Sequence, residues 1–386
     1  MSGKPKLLFV VTEDWFFCSH FLPMAREALA AGFDVFVACR VREHGAVITG
    51  LGCNLLPLEA DRKTLNPVAM LRTFIIMRSL ITKESPDIVH LIALRSIILG
   101  GLAARLAGVP RRVVALTGMG LLGAATTVRA RLARLAIRTA IRGLVDGARV
   151  RFLFENRSDP ALLGLDPDAT TKVAIVGGAG VDPAVFKPEA LPARPPLKVA
   201  MIARMLWSKG VDTAVEAVLE ARRQGADVEL SLYGAPDPDN PRAVPESTLR
   251  QWTLEPGITW HGKIDQSVVP DIWAMHHLAM LPSRGGEGLP RTLLEAASCG
   301  RAILTSNVPG CRDLVRDGIE GVIVPPGDAQ ALAGALIALH ATPDRLISMG
   351  NAARQRILEG YTEQAVGEAV VQLYRQMLQT HMSTGK

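Results

Sequence analysis

Aromatic residues make up only 5% of this 386-residue chain, and cysteine is scarcer still. Cys18, Cys39, Cys53, Cys299 and Cys311 are an odd, scattered set without C-x-x-C spacing. They offer neither a disulfide framework nor a zinc-ligand pattern, and they suit a reducing, cytoplasmic setting. No apolar run reaches the roughly 18 residues that a membrane span needs. The nearest candidate, IVHLIALRSIILGGLAARLAGV, is broken by His90, Arg95 and Arg105. The apolar stretch after MSGKPK is too short for a signal-peptide core and reads as a strand. Also missing is a G-x-G-x-x-G after that strand: VVTEDWFFCSH stands in its place, which counts against a dinucleotide-dependent oxidoreductase.

The chain does have length enough for two domains, each burying its own core. Its net charge of +6 is unevenly spread: residues 1–190 hold 24 Lys+Arg against 16 Asp+Glu, and the remainder 19 against 21. A basic first half suits an anionic partner, such as lipid-linked phosphate or a phospholipid surface. Nucleic acid ranks last, since aromatics are few and no nucleic-acid module is present.

Apolar runs of strand length alternate with helical patterns: LLFVV, a helix from about Leu22, DVFVA, then DIVHLIA, VVALT and VRFLF. Such alternation predicts an α/β fold with a doubly wound parallel sheet. KPEALPARPPL, rich in proline, looks like a linker, after which the alternation restarts at KVAMIA. The expected organisation is a Rossmann-like domain over 1–188, a second over 189–365, an interdomain cleft, and a C-terminal helix over 366–386 packing back across the junction. Ligands of such sheets sit beyond the carboxyl ends of the strands.

In RGGEGLPRTLLEAASCG, Glu287 projects from a glycine-rich loop and Glu295 from the second turn of a helix that Pro290 can open. Gly286, in the same glycine-rich loop, is a candidate donor-binding position. The backbone N–H groups of Gly288, Leu289 and Arg291 stand where a helix N-terminus favours phosphate. In IARMLWSKGVDTAVEA, Arg204 and Lys209 follow a strand and form a candidate phosphate clamp. Taken singly, each reads more readily as a surface cation. His20, and Thr117 and Gly118 in ALTGMGLLG, belong to loops at the corresponding edge of the first domain; the latter pair reads as room for substrate or as a tight turn. His276 and His277 lack partners at metal-ligand spacing and read as structural. VRARLARLAIRTAIRGL places Arg131, Arg134, Arg138 and Arg142 on one face beside leucines, which is either a membrane-surface helix or a solvated one.

GAGVDPAVFKP, MIARMLWSKGVDTAVEA, SRGGEGLPRTLLEA, CGRAILTSNVPGCRDLV and DGIEGVIVPPGDAQAL occur in that order. Together they resemble family 4 retaining glycosyltransferases of the GT-B fold, over almost the whole chain. The resemblance implies that Glu287 holds hydroxyls of a donor sugar, that Glu295 binds the ribose of its nucleotide, and that Arg204 and Lys209 hold its diphosphate. It implies base contacts through main-chain groups at Ile264. It also implies substrate contact at His20 and no metal or other cofactor. The loop TEDWFFCSH departs from the family's frequent Gly-Gly pair, with Trp15, Phe16 and Phe17 in its place. Among such enzymes the chain looks most like those extending undecaprenyl-diphosphate-linked glycans for capsule, O-antigen or protein glycosylation. That implies transfer of an N-acetylhexosamine or related hexose from a UDP-linked donor to a lipid-linked acceptor at the inner face of the cytoplasmic membrane. A sugar-nucleotide epimerase, or a transferase using a soluble acceptor, is the alternative.

Overall fold

The structure is a computed structural model describing residues 3–59, 66–118, 127–237 and 240–379. Seven strands, β1 (Lys6–Glu13), β2 (Asp34–Arg40), β3 (Asn54–Pro57), β4 (Ile88–Ile92), β5 (Arg112–Leu116), β6 (Val150–Phe154) and β7 (Val173–Ile175), build the first sheet. Their order is β3-β2-β1-β4-β5-β6-β7, with every neighbouring pair parallel. Central strands read as unbroken apolar runs because helices cover both faces: Leu7 to Val11 are all buried. One face is covered by α1 (Asp14–His20), α2 (Leu22–Ala30) and the C-terminal helix Glu363–Gln379. Along the strand edge, α3 (Gly45–Gly50) precedes β3. The opposite face is covered by α4 (Pro67–Glu84) and α5 (Ala93–Leu106), joined by the turn Ile141–Val145 that ends the helix beginning at Val128.

The second sheet contains β8 (Leu197–Ile202), β9 (Val228–Tyr233), β10 (Ile258–Trp260), β11 (Leu278–Leu281), β12 (Ala302–Ser306) and β13 (Gly321–Val324). Its order is β10-β9-β8-β11-β12-β13, again all parallel. It encloses a separate core.

The chain divides into two units, one running to Gly180 and resuming at Glu363, the other Val181–Thr362. The expected boundary at 188 therefore moves upstream. Val181 donates its N–H to the Tyr361 carbonyl (3.0 Å), Phe186 packs in the second core, and Arg354 Nη1 donates to the Phe186 carbonyl (2.9 Å). The proline-rich stretch is part of the second unit and not a linker: Arg194 donates to the His340 carbonyl (2.6 Å) and Arg301 to that of Glu189 (2.7 Å). The last helix belongs to the first unit from Glu363 onward. Val366, Val370, Leu373 and Met377 recur at helical spacing on its buried side.

TEDWFFCSH, expected to be loop, contains α1 in the structure. The buried Asp14 carboxylate orders it by accepting from the N–H groups of Trp15, Arg42 and His44 at 2.7 to 2.9 Å. These hydrogen bonds lower the Asp14 pKa against the opposing effect of burial, which is the largest single influence.

The C-terminal helix also reaches the sheet through Tyr374, whose hydroxyl lies 2.6 Å from His90 Nδ1. Both groups are fully buried, and burial pushes the His90 imidazole down to about 3. Above the unfolded value of 6.5 both states are neutral and this stability is fully present. As pH falls from there toward 3 the unfolded chain alone takes the proton, and stability is lost at about 1.4 kcal/mol per pH unit. His90→Phe removes that uptake. Its stability deficit against wild type in urea titrations should therefore narrow by about that amount per unit between roughly pH 6 and 4; parallel curves would refute the assignment.

Candidate active site

In the second sheet β8 lies between β9 and β11, so loops leaving the carboxyl ends of β8 and β11 turn opposite ways and open a crevice. Arg204 and Lys209 come from the first loop, and Glu287 from the second. Lys209 Nζ lies 2.7 Å from both carboxylate oxygens of Glu287, with 20% and 9% of the two side chains exposed. Ser283, fully buried at the end of β11, donates to Glu287 Oε1 (2.6 Å). Its own carbonyl accepts from Ser306 Oγ. The loops are stapled by Arg284, which donates to Asp212 (2.7 Å), Thr213 (3.0 Å) and the Trp207 carbonyl (3.1 Å). Gly210 (φ 74°) packs so closely on the Pro282 carbonyl that any Cβ there would collide with it.

Glu295 occupies the second turn of the helix Arg291–Ser298, whose Leu293, Leu294, Ala296 and Ala297 are buried in the core. The acid is itself only 3% exposed. It is held through Oε1 by Gln266 Nε2 and Arg291 Nε, both at 2.8 Å. Burial raises its pKa, with Arg291 and Gln266 pulling the other way. Together with Arg204, Tyr233, Ile264 and Arg291 it lines a cavity of about 540 Å³. The Thr292 hydroxyl borders the same space and has no hydrogen-bond partner among the described residues. Arg204 reaches Asp237 at 3.3 Å while staying 60% exposed.

The two acids thus have distinct surroundings: Glu295 opens on the cavity, while Lys209 and Glu287 pair outside its lining. Arg204 and Lys209 leave the same strand, yet each faces a carboxylate, so the expected clamp is two ion pairs. Gly286 (φ 77°) lies in the glycine turn. Gly288 precedes Leu289, whose side chain is a core anchor, and Arg291 begins the helix. The sequence offered no means to pick Ser283, Gln266 and Asp237, which fix the acids and Arg204 but look like ordinary polar loop residues.

In the first unit His20 ends α1, half-buried, its Nδ1 2.7 Å from Ser19 Oγ and its ring 4.5 Å from that of Phe16. Phe17 is fully buried and Trp15 exposed, so the aromatic run divides between core and surface. Thr117 and Gly118 (φ 100°) follow β5, half-buried; the rest of ALTGMGLLG from residue 119 on lies outside the described residues. The four arginines of the helix Val128–Ala140 and its terminal turn do not form one solvated row. Arg134 and Arg138 are half-buried, while Arg131 and Arg142 are exposed, the latter donating to the Gly164 carbonyl (2.8 Å). His276 and His277 are structural: Nδ1 of the first bonds the Ile272 carbonyl (2.7 Å), and the second accepts from Lys198 N and donates to the Pro192 carbonyl (both 3.0 Å). Among the described residues no helix is long and apolar enough to cross a membrane.

Two doubly wound parallel units, one carrying acids and cations at its switch point, define the class as the GT-B fold. Sucrose-phosphate synthase from Thermosynechococcus elongatus shares that architecture over 98% of this chain and 100% of its own (TM-score 0.78, 20% identity). So does Anabaena HepE in complex with UDP and glucose, over the same shares (TM-score 0.72, 14% identity). Residues 6–144 match the family Glycosyl transferase 4-like, and residues 196–342 match Glycosyl transferases group 1. The chain belongs to the glycosyltransferases and is an enzyme of that class. A relative from Campylobacter jejuni, N,N'-diacetylbacillosaminyl-diphospho-undecaprenol alpha-1,3-N-acetylgalactosaminyltransferase, is 24% identical over 93% of this chain and 96% of its own length.

Proposed function

We propose that the protein is a retaining hexosyltransferase that moves an N-acetylhexosamine or related hexose from a UDP-linked donor to a lipid-linked glycan acceptor. The carrying observation is the cavity of the second unit, where a buried carboxylate (Glu295), a cation (Arg204) and the segment at Ile264 converge. That is the set a nucleotide diphosphate needs: an acceptor for ribose hydroxyls, a donor for phosphate and main-chain groups beside an apolar wall for a base. The UDP choice draws on the HepE complex, and the acceptor on the Campylobacter relative's name.

Transfer breaks the bond between the sugar's anomeric carbon and the diphosphate oxygen and forms one to the acceptor oxygen. In our reading the acceptor hydroxyl attacks from the leaving group's own face and gives its proton to the departing phosphate. Lys209 and Arg204 stabilise the negative charge left behind, without calling on a metal ion, and Glu287 orients the sugar. A covalent sugar–enzyme adduct in intact mass spectrometry would overturn that route. His20, Thr117 and Gly118 are assigned to the acceptor side, and the basic helix with Arg131, Arg134, Arg138 and Arg142 to peripheral attachment at an anionic membrane.

The test is thermal stabilisation by UDP, GDP, ADP, dTDP and their sugars, with NAD as control. UDP species should stabilise the wild type selectively. In Glu295→Ala the loss of a charged hydrogen bond of about 1.5–3 kcal/mol should weaken UDP some tenfold to a hundredfold. Stabilisation by NAD alone, or equal UDP affinity in the variant, would defeat the reading.

A further inference from the structure

The outer side of α4 is apolar. Val68, Leu71 and Ile75 are 74%, 58% and 56% exposed, and their spacing keeps them within an arc of about 60° on the helix. Thr73, Met77 and Ile81 occupy the buried side. The helix Val128–Ala140 repeats the arrangement: Val128, Leu132 and Leu135 are 69%, 61% and 57% exposed and share a similar arc. Both helices serve the same sheet face, since α4 and the turn Ile141–Val145 join α5 in one core.

Chain direction places the two stripes at one edge. α4 follows β3, and the helix from Val128 lies between β5 and β6. In a parallel sheet each helix therefore starts at the carboxyl ends of the strands and runs back. The α4 triplet sits in the first half of its helix and the other within the first eight of thirteen residues, and hence both begin near the edge where such sheets bind ligands. The two helices carry charge almost wholly of one sign: Arg72, Arg78 and Lys83 on α4, with Glu84 at its far end, and Arg129, Arg131, Arg134 and Arg138 on the other, which has no acid.

We propose that α4 and the helix Val128–Ala140 insert their exposed apolar stripes together into an anionic lipid bilayer, so that the carboxyl edge of the first sheet faces the membrane. This deepens the lipid-linked acceptor reading and rests on it. Two apolar stripes ringed by cations match the boundary between acyl chains and anionic headgroups. A second copy of the chain would instead bring like charges together.

The full chain is sedimented with vesicles of phosphatidylcholine alone or mixed with phosphatidylglycerol. The wild type should pellet with the mixed vesicles only, and high salt should weaken this without abolishing it. Leu71→Asp/Ile75→Asp should lower the partition at least tenfold, while retaining the wild-type shift with UDP, which reports on the second unit. Leu358→Asp, on an exposed apolar residue of the other unit, should change nothing. Wild-type pelleting by the α4 pair, or equal binding to both vesicle types, would overturn the proposal. So would a wild-type dimer in gel filtration that the α4 pair dissociates. Loss of pelleting on replacing Arg131 and Arg142 but not in the α4 pair would leave the single-helix attachment standing and refute the two-helix one. Intact vesicle binding without any UDP shift would count against the donor reading alone.

Discussion

Lys209→Met is expected to lower turnover a hundredfold to a thousandfold and to destabilise the second unit by about 3–5 kcal/mol. The two effects have separate origins. Lys209 is a mostly buried cation bonded evenly to both oxygens of Glu287, so its removal strands a desolvated carboxylate. That penalty belongs to the pair, and Lys209→Met/Glu287→Gln should recover most of it in urea titrations. The rate loss should persist in the double variant, because the charge proposed to face the leaving diphosphate is still gone. Turnover of Lys209→Met within tenfold of wild type would make the pair a structural tie only. Recovery of rate along with stability in the double variant would do the same.

That such a pair exists was half-visible in the sequence. Alternating strands and helices disclosed two parallel sheets, and the restart at KVAMIA marked β8 and its loop. Placing Arg204, Lys209 and Glu287 at one sheet edge needs only the rule that βαβ loops gather there. What the pattern could not disclose was pairing across it. Ser283 is invisible as a partner of Glu287 because its role depends on where β11 ends. Gln266, nearly thirty residues before Glu295, reaches it only through the turn after β10. The boundary misled for a related reason: proline richness signals an irregular backbone, but an irregular segment can be pinned by long side chains such as Arg194, Arg301 and Arg354. α4 shows the opposite limit. Its apolar residues are spread around the helix among Arg72, Arg78 and Lys83, and only the packing reveals that Val68, Leu71 and Ile75 face outward.

Gly310 provides the sharpest test of how the glutamate loop is held. It lies between β12 and the short helix Cys311–Leu314 with φ 68°. A Cβ built there collides with the Gly288 carbonyl and comes within 3.4 Å of Glu287 Cβ. Two costs can be told apart by comparison with Gly318, which has φ 76° but open space around its Cβ. Gly318→Ala carries left-handed strain alone, about 1–2 kcal/mol, and should leave turnover near wild type. Gly310→Ala carries the same strain plus an overpacking cost of about 1–3 kcal/mol. The obstacle is main chain, so no rotamer change relieves it, and the loop must retreat and take Glu287 away from Lys209. Turnover should fall at least a hundredfold at temperatures where the variant remains folded by circular dichroism, since a displacement near 1 Å can remove about that factor. Equal behaviour of the two alanine variants would mean that the approach to Gly288 is slack. The observed packing predicts instead that NVPGCRDLV acts on the chemistry by fixing the backbone of RGGEGLP from behind.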